Sequence, residues 1–311
     1  MPVAPFAVAM DRSAEPVQPI PDDIQVDARK VALGERLFHD TRLSADNSVS
    51  CAGCHALNRG GADGREHSIG VQGNEGFLNT PTVFNSALNF TQFWDGRADT
   101  LETQVEMSVH SDQALNTNWP KIIAKLSKDK SYQLDFNAIY QDGMTSGNIK
   151  NAMVEFERSL ITPDSRFDRY LRGDDNAISE DEKTGYTLFK EYGCVACHQG
   201  SNVGGNMFQM FGVMRDYFQG RAVVNSVDYG RYNVTGLEAD RYLFKVPSLR
   251  MVTLTSPYLH DGSIETLESA IEVMVEYQLG REIRDDDVKQ IIKFLYTLVG
   301  TYKGESLEPK K

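Results

Sequence analysis

Cysteine occurs four times in this chain, and all four lie in two copies of one pattern, "SCAGCHAL" at 50–57 and "GCVACHQG" at 193–200. Each copy sets two thiols three residues apart with a His directly after the second. Three chemistries use such a pair: half of a zinc site, a redox dithiol, or attachment of a c-type haem. A single four-ligand zinc site would take both Cys pairs and leave His55 and His198 surplus. A thioredoxin-like dithiol belongs beside a βαβ pattern and does not require the His. Cys-x-x-Cys-His is the attachment signature of haem, in which two thioethers fix the porphyrin and the adjacent His is placed under the iron. Two copies with no cysteine left over favour two covalent haems, on Cys51 and Cys54 and on Cys194 and Cys197, with His55 and His198 as proximal ligands.

The elements that position these groups are themselves duplicated. A Gly-x-x-Leu-Phe segment precedes each motif, at 34–38 and 185–189. Downstream, "TPTVFNSALNFTQFWDGRADTLE" (80–102) matches "VPSLRMVTLTSPYLHDGSIETLE" (246–268) without a gap, which reads as two homologous units. Apolar residues at helical spacing predict helices over 27–38, 146–161 and 285–299, the last with an Asp run where the helix dipole favours anions. Strand-like alternation is rare and short. The expected fold is mainly α, with two class I cytochrome c-like domains, each holding one haem. Residues 1–24 form an N-terminal extension with a short apolar patch and no basic n-region, as a signal remnant would have. The first haem domain is expected over 25–164 and the second over 165–311, with the boundary in the polar stretch 163–179. Residues 200–245, rich in Gly and aromatics, are an insertion confined to the second copy.

Composition narrows the partners. The 311 residues are 41% hydrophobic and 24% charged, ordinary for a globular protein, and no apolar run is long enough to span a bilayer. A net charge of −12 argues against nucleic acid and suits a basic protein partner, although solubility alone also accounts for it.

The sixth iron position decides the chemistry. A His/Met iron makes a good electron-transfer centre, whereas an open or displaceable position admits a small oxidant. Met274, in "AIEVMVEYQLG", is one of ten methionines, and at helical spacing core packing is its ordinary fate. The combination "NTPTVFN", "FWDGRADTLE", "EFERSLITPDSRFDRYLRGD", the two Cys-x-x-Cys-His motifs, "KVPSLR" and "SPYLHDG…TLE…M" resembles the bacterial dihaem cytochrome c peroxidases over residues 25–300. The resemblance implies reduction of hydrogen peroxide to water with electrons from a small soluble cytochrome c or cupredoxin. Electrons would enter at the high-potential C-terminal haem and be used at the N-terminal one. It further implies Met274 as sixth ligand of the His198 haem and Trp94 as the aromatic residue between the haems, where a buried core aromatic is the plain alternative. A Ca²⁺ between the domains would be held by Asn79 and the carbonyls of Thr255 and Pro257, oxygen ligands of a kind that suits that ion. The family is typically a homodimer. Covalent haem attachment is ordinarily completed outside the cytoplasm, which places the mature protein in the periplasm.

The peroxide pocket departs from the family pattern. Where members carry a His in the Gly-rich loop after the first motif, counting back from Asn79 gives Val71, which cannot ligate iron. The iron is then open or water-bound, or His67 substitutes by a different loop path, or His67 is a surface His without a role. Gln104 is retained in the helix after Trp-Asp-Gly-Arg, but the ungapped register puts Ala114 and Leu115 where Glu-Met is expected. Splitting peroxide requires moving a proton between its oxygens, and a carboxylate that does so contributes about 10²–10⁴-fold. Glu106 and His110 are substitute acid–base candidates, against the commoner fate of exposed helix charges. Two readings compete with peroxidase: an electron carrier or redox sensor that has lost peroxide chemistry, and a protein-modifying dihaem oxidase. In the latter a Tyr replaces the Met ligand, whereas "EVMVEY" keeps Met274 in register with Tyr277 three residues on.

Overall fold

The computed structural model describes residues 12–22, 24–221 and 223–309, and among these helices dominate. They are α1 (Ala28–His39), α2 (Cys51–Cys54), α3 (Leu101–His110), α4 (Trp119–Leu126), α5 (Lys130–Ile139), α6 (Ser146–Ser159), α7 (Arg166–Leu171), α8 (Glu180–Tyr192), α9 (Tyr232–Thr235), α10 (Leu267–Val273) and α11 (Asp285–Tyr296). Short antiparallel strands pair as β1 (Phe208–Met210) with β2 (Leu243–Lys245) and β3 (Thr301–Tyr302) with β4 (Glu305–Ser306). The helices expected at 27–38, 146–161 and 285–299 are α1, α6 and α11, which end within three residues of those bounds.

Two crossed helix pairs organise the molecule, α1 on α6 and α8 on α11. In each, the Gly of Gly-x-x-Leu-Phe is the contact point. A Cβ on Gly34 would lie 2.0 Å from Ala152 O and 2.7 Å from Phe156 Cβ; on Gly185 it would lie 2.0 Å from Gln290 O and 3.0 Å from Phe294 Cβ. The Phe four residues on stacks against the same partner, with Phe38–Phe156 and Phe189–Phe294 ring centroids each 5.2 Å apart. Gly185→Ala should therefore destabilise the protein by about 1–3 kcal/mol. That sign is opposite to the gain of up to about 1 kcal/mol that helix propensity alone would give Ala over Gly. A melting temperature equal to or above the parent's would contradict the close crossing.

The ungapped sequence match is also a structural repeat. Gln92 bridges Ala98, and Tyr258 bridges Ile264, across matching turns. Phe93 and Leu259 both sit at left-handed φ, 65° and 69°. Thr100 and Thr266 cap α3 and α10 by accepting from the backbone N–H three residues on.

One apolar core gathers residues of α1 and α3–α6, including Leu37, Val105, Ile122 and Phe136. A second gathers α7, α8, α10 and α11, including Phe167, Tyr186, Phe189 and Phe294. A third joins the halves through Phe38, Phe84, Phe156, Leu160, Met251 and Val299. The termini are crossed relative to the expected division at 163–179. Residues 12–22 of the extension lie on the second half, with Val17 in its core and Glu15 accepting from Tyr186 Oη at 2.7 Å and Lys190 Nζ at 3.1 Å. The β3–β4 hairpin instead packs on the first half, Tyr302 against Phe84 at 5.3 Å and Lys303 Nζ on Glu35 at 2.7 Å. The reason is apolar content: Val17, Ile20 and Val299 bury completely or nearly so. Residues 1–11 lie outside the described residues. Arg250, from "KVPSLR", is fully buried and donates to Asp168 Oδ1 (2.7 Å), Ser201 O (2.7 Å) and Gln18 O (2.8 Å), locking extension, α7 and the second motif together. The insertion 200–245 supplies β1, β2, α9 and an aromatic cluster of Phe211, Phe218 and Phe244 packed on Trp94 and Met274.

Candidate functional site

Each Cys-x-x-Cys-His opens into its own cavity. In both motifs a single tight turn brings His N–H back to the first Cys carbonyl, His55 to Cys51 at 2.8 Å and His198 to Cys194 at 2.9 Å. Cys51, Cys54 and His55 line the first cavity; Cys194, Cys197 and His198 line the second. All four thiols are free. Burial pushes Cys51 and Cys194 up to about 12, so they are neutral thiols rather than thiolates. A reactive dithiol would instead have a depressed pKa, and pairs in separate cavities cannot share one zinc.

Both imidazoles are half-buried and neutral. Burial lowers the His55 pKa, and it pushes His198 down to about 4 against the opposing carbonyls of Val203 and Pro247. His55 Nδ1 lies 3.3 Å from Gly61 O; since a carbonyl only accepts, Nδ1 carries the proton and Nε2 keeps its lone pair. His198 Nδ1 is buried without a hydrogen bond of ordinary length. A neutral ring, an adjacent thiol pair and an apolar hollow are the donor set a covalently attached haem requires, so the residues fit that group.

The two cavities differ in what lines them besides the His. Met274 lines the second and starts a five-residue π-helical turn, Met274–Gln278, that continues α10. Such turns break the helical ladder and recur at functional sites. Tyr277 is not in the cavity wall; its ring packs on Tyr217 at 5.1 Å. In the first cavity, Gln104 and Ser108 of α3 face Ala114 and Leu115, and Gln104 Nε2 donates to Ser108 Oγ at 3.0 Å. His67 does not line it. That ring pairs with Glu75 at 3.3 Å, its side chain 22% exposed. Far from loose, the loop is fastened by Val71 N–H to Ala114 O (3.1 Å) and Asn74 Nδ2 to Asp112 O (3.1 Å), and Val71 is fully buried. Glu106 and His110 also point elsewhere. Glu106 accepts from Trp119 Nε1 at 2.9 Å and Lys150 Nζ at 2.6 Å, and His110 lies on its exposed side.

Two chemically active residues of the walls lie in stretches that carry the family resemblance but were given no role of their own. Glu157, on α6, is 6% exposed and the one carboxylic acid lining the first cavity among the described residues. Burial, aided by the negative field of Glu102, pushes it up to about 8. Its place on the apolar stripe Ile149, Met153, Phe156 was a usable signal, since an acid there is out of pattern. Lys245, on β2, lines both cavities. Burial pushes it down to about 8, opposed by the field of Asp95. A three-residue strand carries no periodicity that would have marked it.

The cavities share a wall: Pro81, Thr82, Asn89, Phe93 and Lys245 line both. Trp94, next in chain, reaches the second cavity, with Nε1 donating to Asn79 O at 2.9 Å. Asn79, Thr255 and Pro257 line that same cavity. Asn79 Nδ2 donates to Arg65 O at 3.0 Å, which turns Oδ1 away from that carbonyl. His260, which occupies Trp94's place in the repeat, bonds Asp228 at 2.7 Å, and Arg221 bonds Asp228 at 3.3 Å and Asp261 at 2.6 Å, so both carboxylates of this cluster are engaged by protein cations or hydrogen bonds.

Comparison with known proteins follows the same line. Residues 28–176 match the family described as di-haem cytochrome c peroxidase. The chain is 48% identical over 295 residues to cytochrome c peroxidase Ccp of Escherichia coli (strain K12), covering 94% of this chain and 63% of that one, so it spans less than two thirds of that relative's length. It is 42% identical over 290 residues to cytochrome c551 peroxidase of Nitrosomonas europaea, covering 92% and 84%. Its fold is similar to the crystal structure of a MauG-like protein associated with microbial copper homeostasis, with a TM-score of 0.79, 25% identity and 95% of each chain covered.

Proposed function

Because the chain belongs to the di-haem cytochrome c peroxidase family, we propose that it reduces hydrogen peroxide to water with electrons taken from a small redox protein. Two cytochrome c-like units, 25–164 and 165–311, each hold one c-type haem. The observation that carries this reading is the pair of neutral imidazoles, each beside two Cys, set in cavities that share a wall. Bound haem supplies iron that accepts single electrons and binds peroxide.

The protein's residues divide the work. Met274 lines the same cavity as His198 and would supply the thioether ligand that keeps the second centre in electron transfer, with Trp94 and Phe93 also in its wall. In the first cavity no side chain of the 67–76 loop reaches in to compete with substrate. Gln104 offers an amide to orient it, and Glu157 keeps a proton on its carboxyl up to about pH 8 that it can give to the departing oxygen, a donor that Ala114 lacks. Asn79 Oδ1 and the carbonyls of Thr255 and Pro257 would hold Ca²⁺, an oxygen set of the kind that ion takes. The net charge of −12 favours a basic cytochrome or cupredoxin as donor. The periplasmic location rests on covalent haem attachment, and the homodimer on the family resemblance.

The spin state of the oxidised holoprotein tests the assignment of the first cavity. An EPR signal from one high-spin and one low-spin ferric haem is expected, with peroxide consumed without prior reduction. Two low-spin signals would mean that a side chain ligates the first iron; if His67→Ala then restored the high-spin signal, the fastened loop would be the wrong resting state.

A further inference from the structure

Lys245 is a buried cation without an anion. It is 7% exposed and lies on the wall common to both cavities. Among the described residues no carboxylate reaches salt-bridge distance of its Nζ. Asp95, whose field it feels, is already engaged through both oxygens by Arg97 Nη1 at 2.9 and 3.0 Å. Glu157, the acid of the first cavity, makes no ion pair with the lysine, and among the described residues Asp95 is the one carboxylate whose field reaches it. The backbone leaves Lys245 no other place: its N–H donates to Trp94 O at 2.8 Å, and the β1–β2 register sets it opposite Phe208.

An ammonium without an anion is unfavourable in such surroundings, and an anion arriving with the cavities' occupants would relieve it. Haem carries two carboxylates on one edge, and Lys245 stands in the wall that both sites share. Resting on the two-haem reading above, we infer that the Lys245 ammonium is a shared anchor for haem carboxylates, taking one from each cavity. It is a positioning residue, and its fixed positive charge favours the reduced form of both haems, so that the charge on one is felt at the other.

Potentiometric titration of the holoprotein, followed optically, tests this without peroxide. Lys245→Met keeps the aliphatic stem and loses the charge; both reduction equilibria should shift about tenfold toward the oxidised form, about 59 mV for a one-electron couple. Lys245→Arg should restore the parent values, and Lys245→Gln should repeat the Met result if Met is poorly tolerated. Unchanged potentials with both haems attached would overturn the anchor, and a shift confined to one haem would overturn its shared character. Parent potentials that move with phosphate at constant ionic strength would place a free anion at Lys245 and overturn the haem assignment. A tenfold shift in a protein that does not reduce peroxide would contradict the peroxidase reading and leave the anchor standing.

Discussion

Glu157→Gln is expected to lower peroxide turnover about 100-fold while both haems stay attached, the lower end of what positioned acid–base groups contribute. Gln matches Glu in shape, so the hollow between α3 and α6 is kept and only the transferable proton is lost. The parent's activity should fall as pH rises through about 8, where the buried carboxyl ionises, and the variant should lack that limb. Stability supplies an independent check. The folded pKa is raised from 4.5 to about 8, so the proton is bound more tightly in the folded state. Its stabilisation is complete below 4.5 and is lost as pH rises toward 8, at a slope of about 1.4 kcal/mol per pH unit within that window. Glu157→Gln should therefore melt above the parent at pH 8 and no higher than it at pH 4. Equal turnover in variant and parent would remove Glu157 from the chemistry.

Met274→Leu is expected to lower the reduction potential of the second haem on the order of 100 mV, within the ≈0.8 V range over which axial ligands move haem potentials. Leu conserves volume, so the aromatic packing of Phe211 and Phe244 around position 274 survives and the change reports the thioether. At about 59 mV per tenfold, electron uptake from a reduced donor becomes unfavourable by well over an order of magnitude, and donor-linked turnover should fall with it. An unchanged potential would make Met274 a packing residue, the ordinary fate of a Met at helical spacing.

What could be read in the sequence was what repeats or has a period. The Cys-x-x-Cys-His copies, Gly34 and Gly185, and the 166-residue offset that carries Gln92–Ala98 onto Tyr258–Ile264 were visible because spacing itself encodes them. Helices α1, α6 and α11 followed from their apolar stripes. The crossed termini were not visible, since Val17 and Tyr302 find their partners only in the folded chain. The π-turn at Met274 also escaped, because the sequence there continues an ordinary helix. At the first cavity, spacing identified the gaps at Val71 and Ala114 but not what fills them. His67, Glu106 and His110 were near in sequence and turned to Glu75, Lys150 and solvent, whereas Glu157 arrived from a helix more than forty residues on.

The central claim is that electrons held at the second centre are used at the first. Reduction of one H₂O₂ to two H₂O takes two electrons and two protons, so the fully reduced holoprotein holds what one peroxide needs. Mixing it anaerobically with one molar equivalent of H₂O₂ in a stopped-flow spectrometer, without any donor, should return both haems to the oxidised state. Oxidation of the first haem alone, or of neither, would contradict the account.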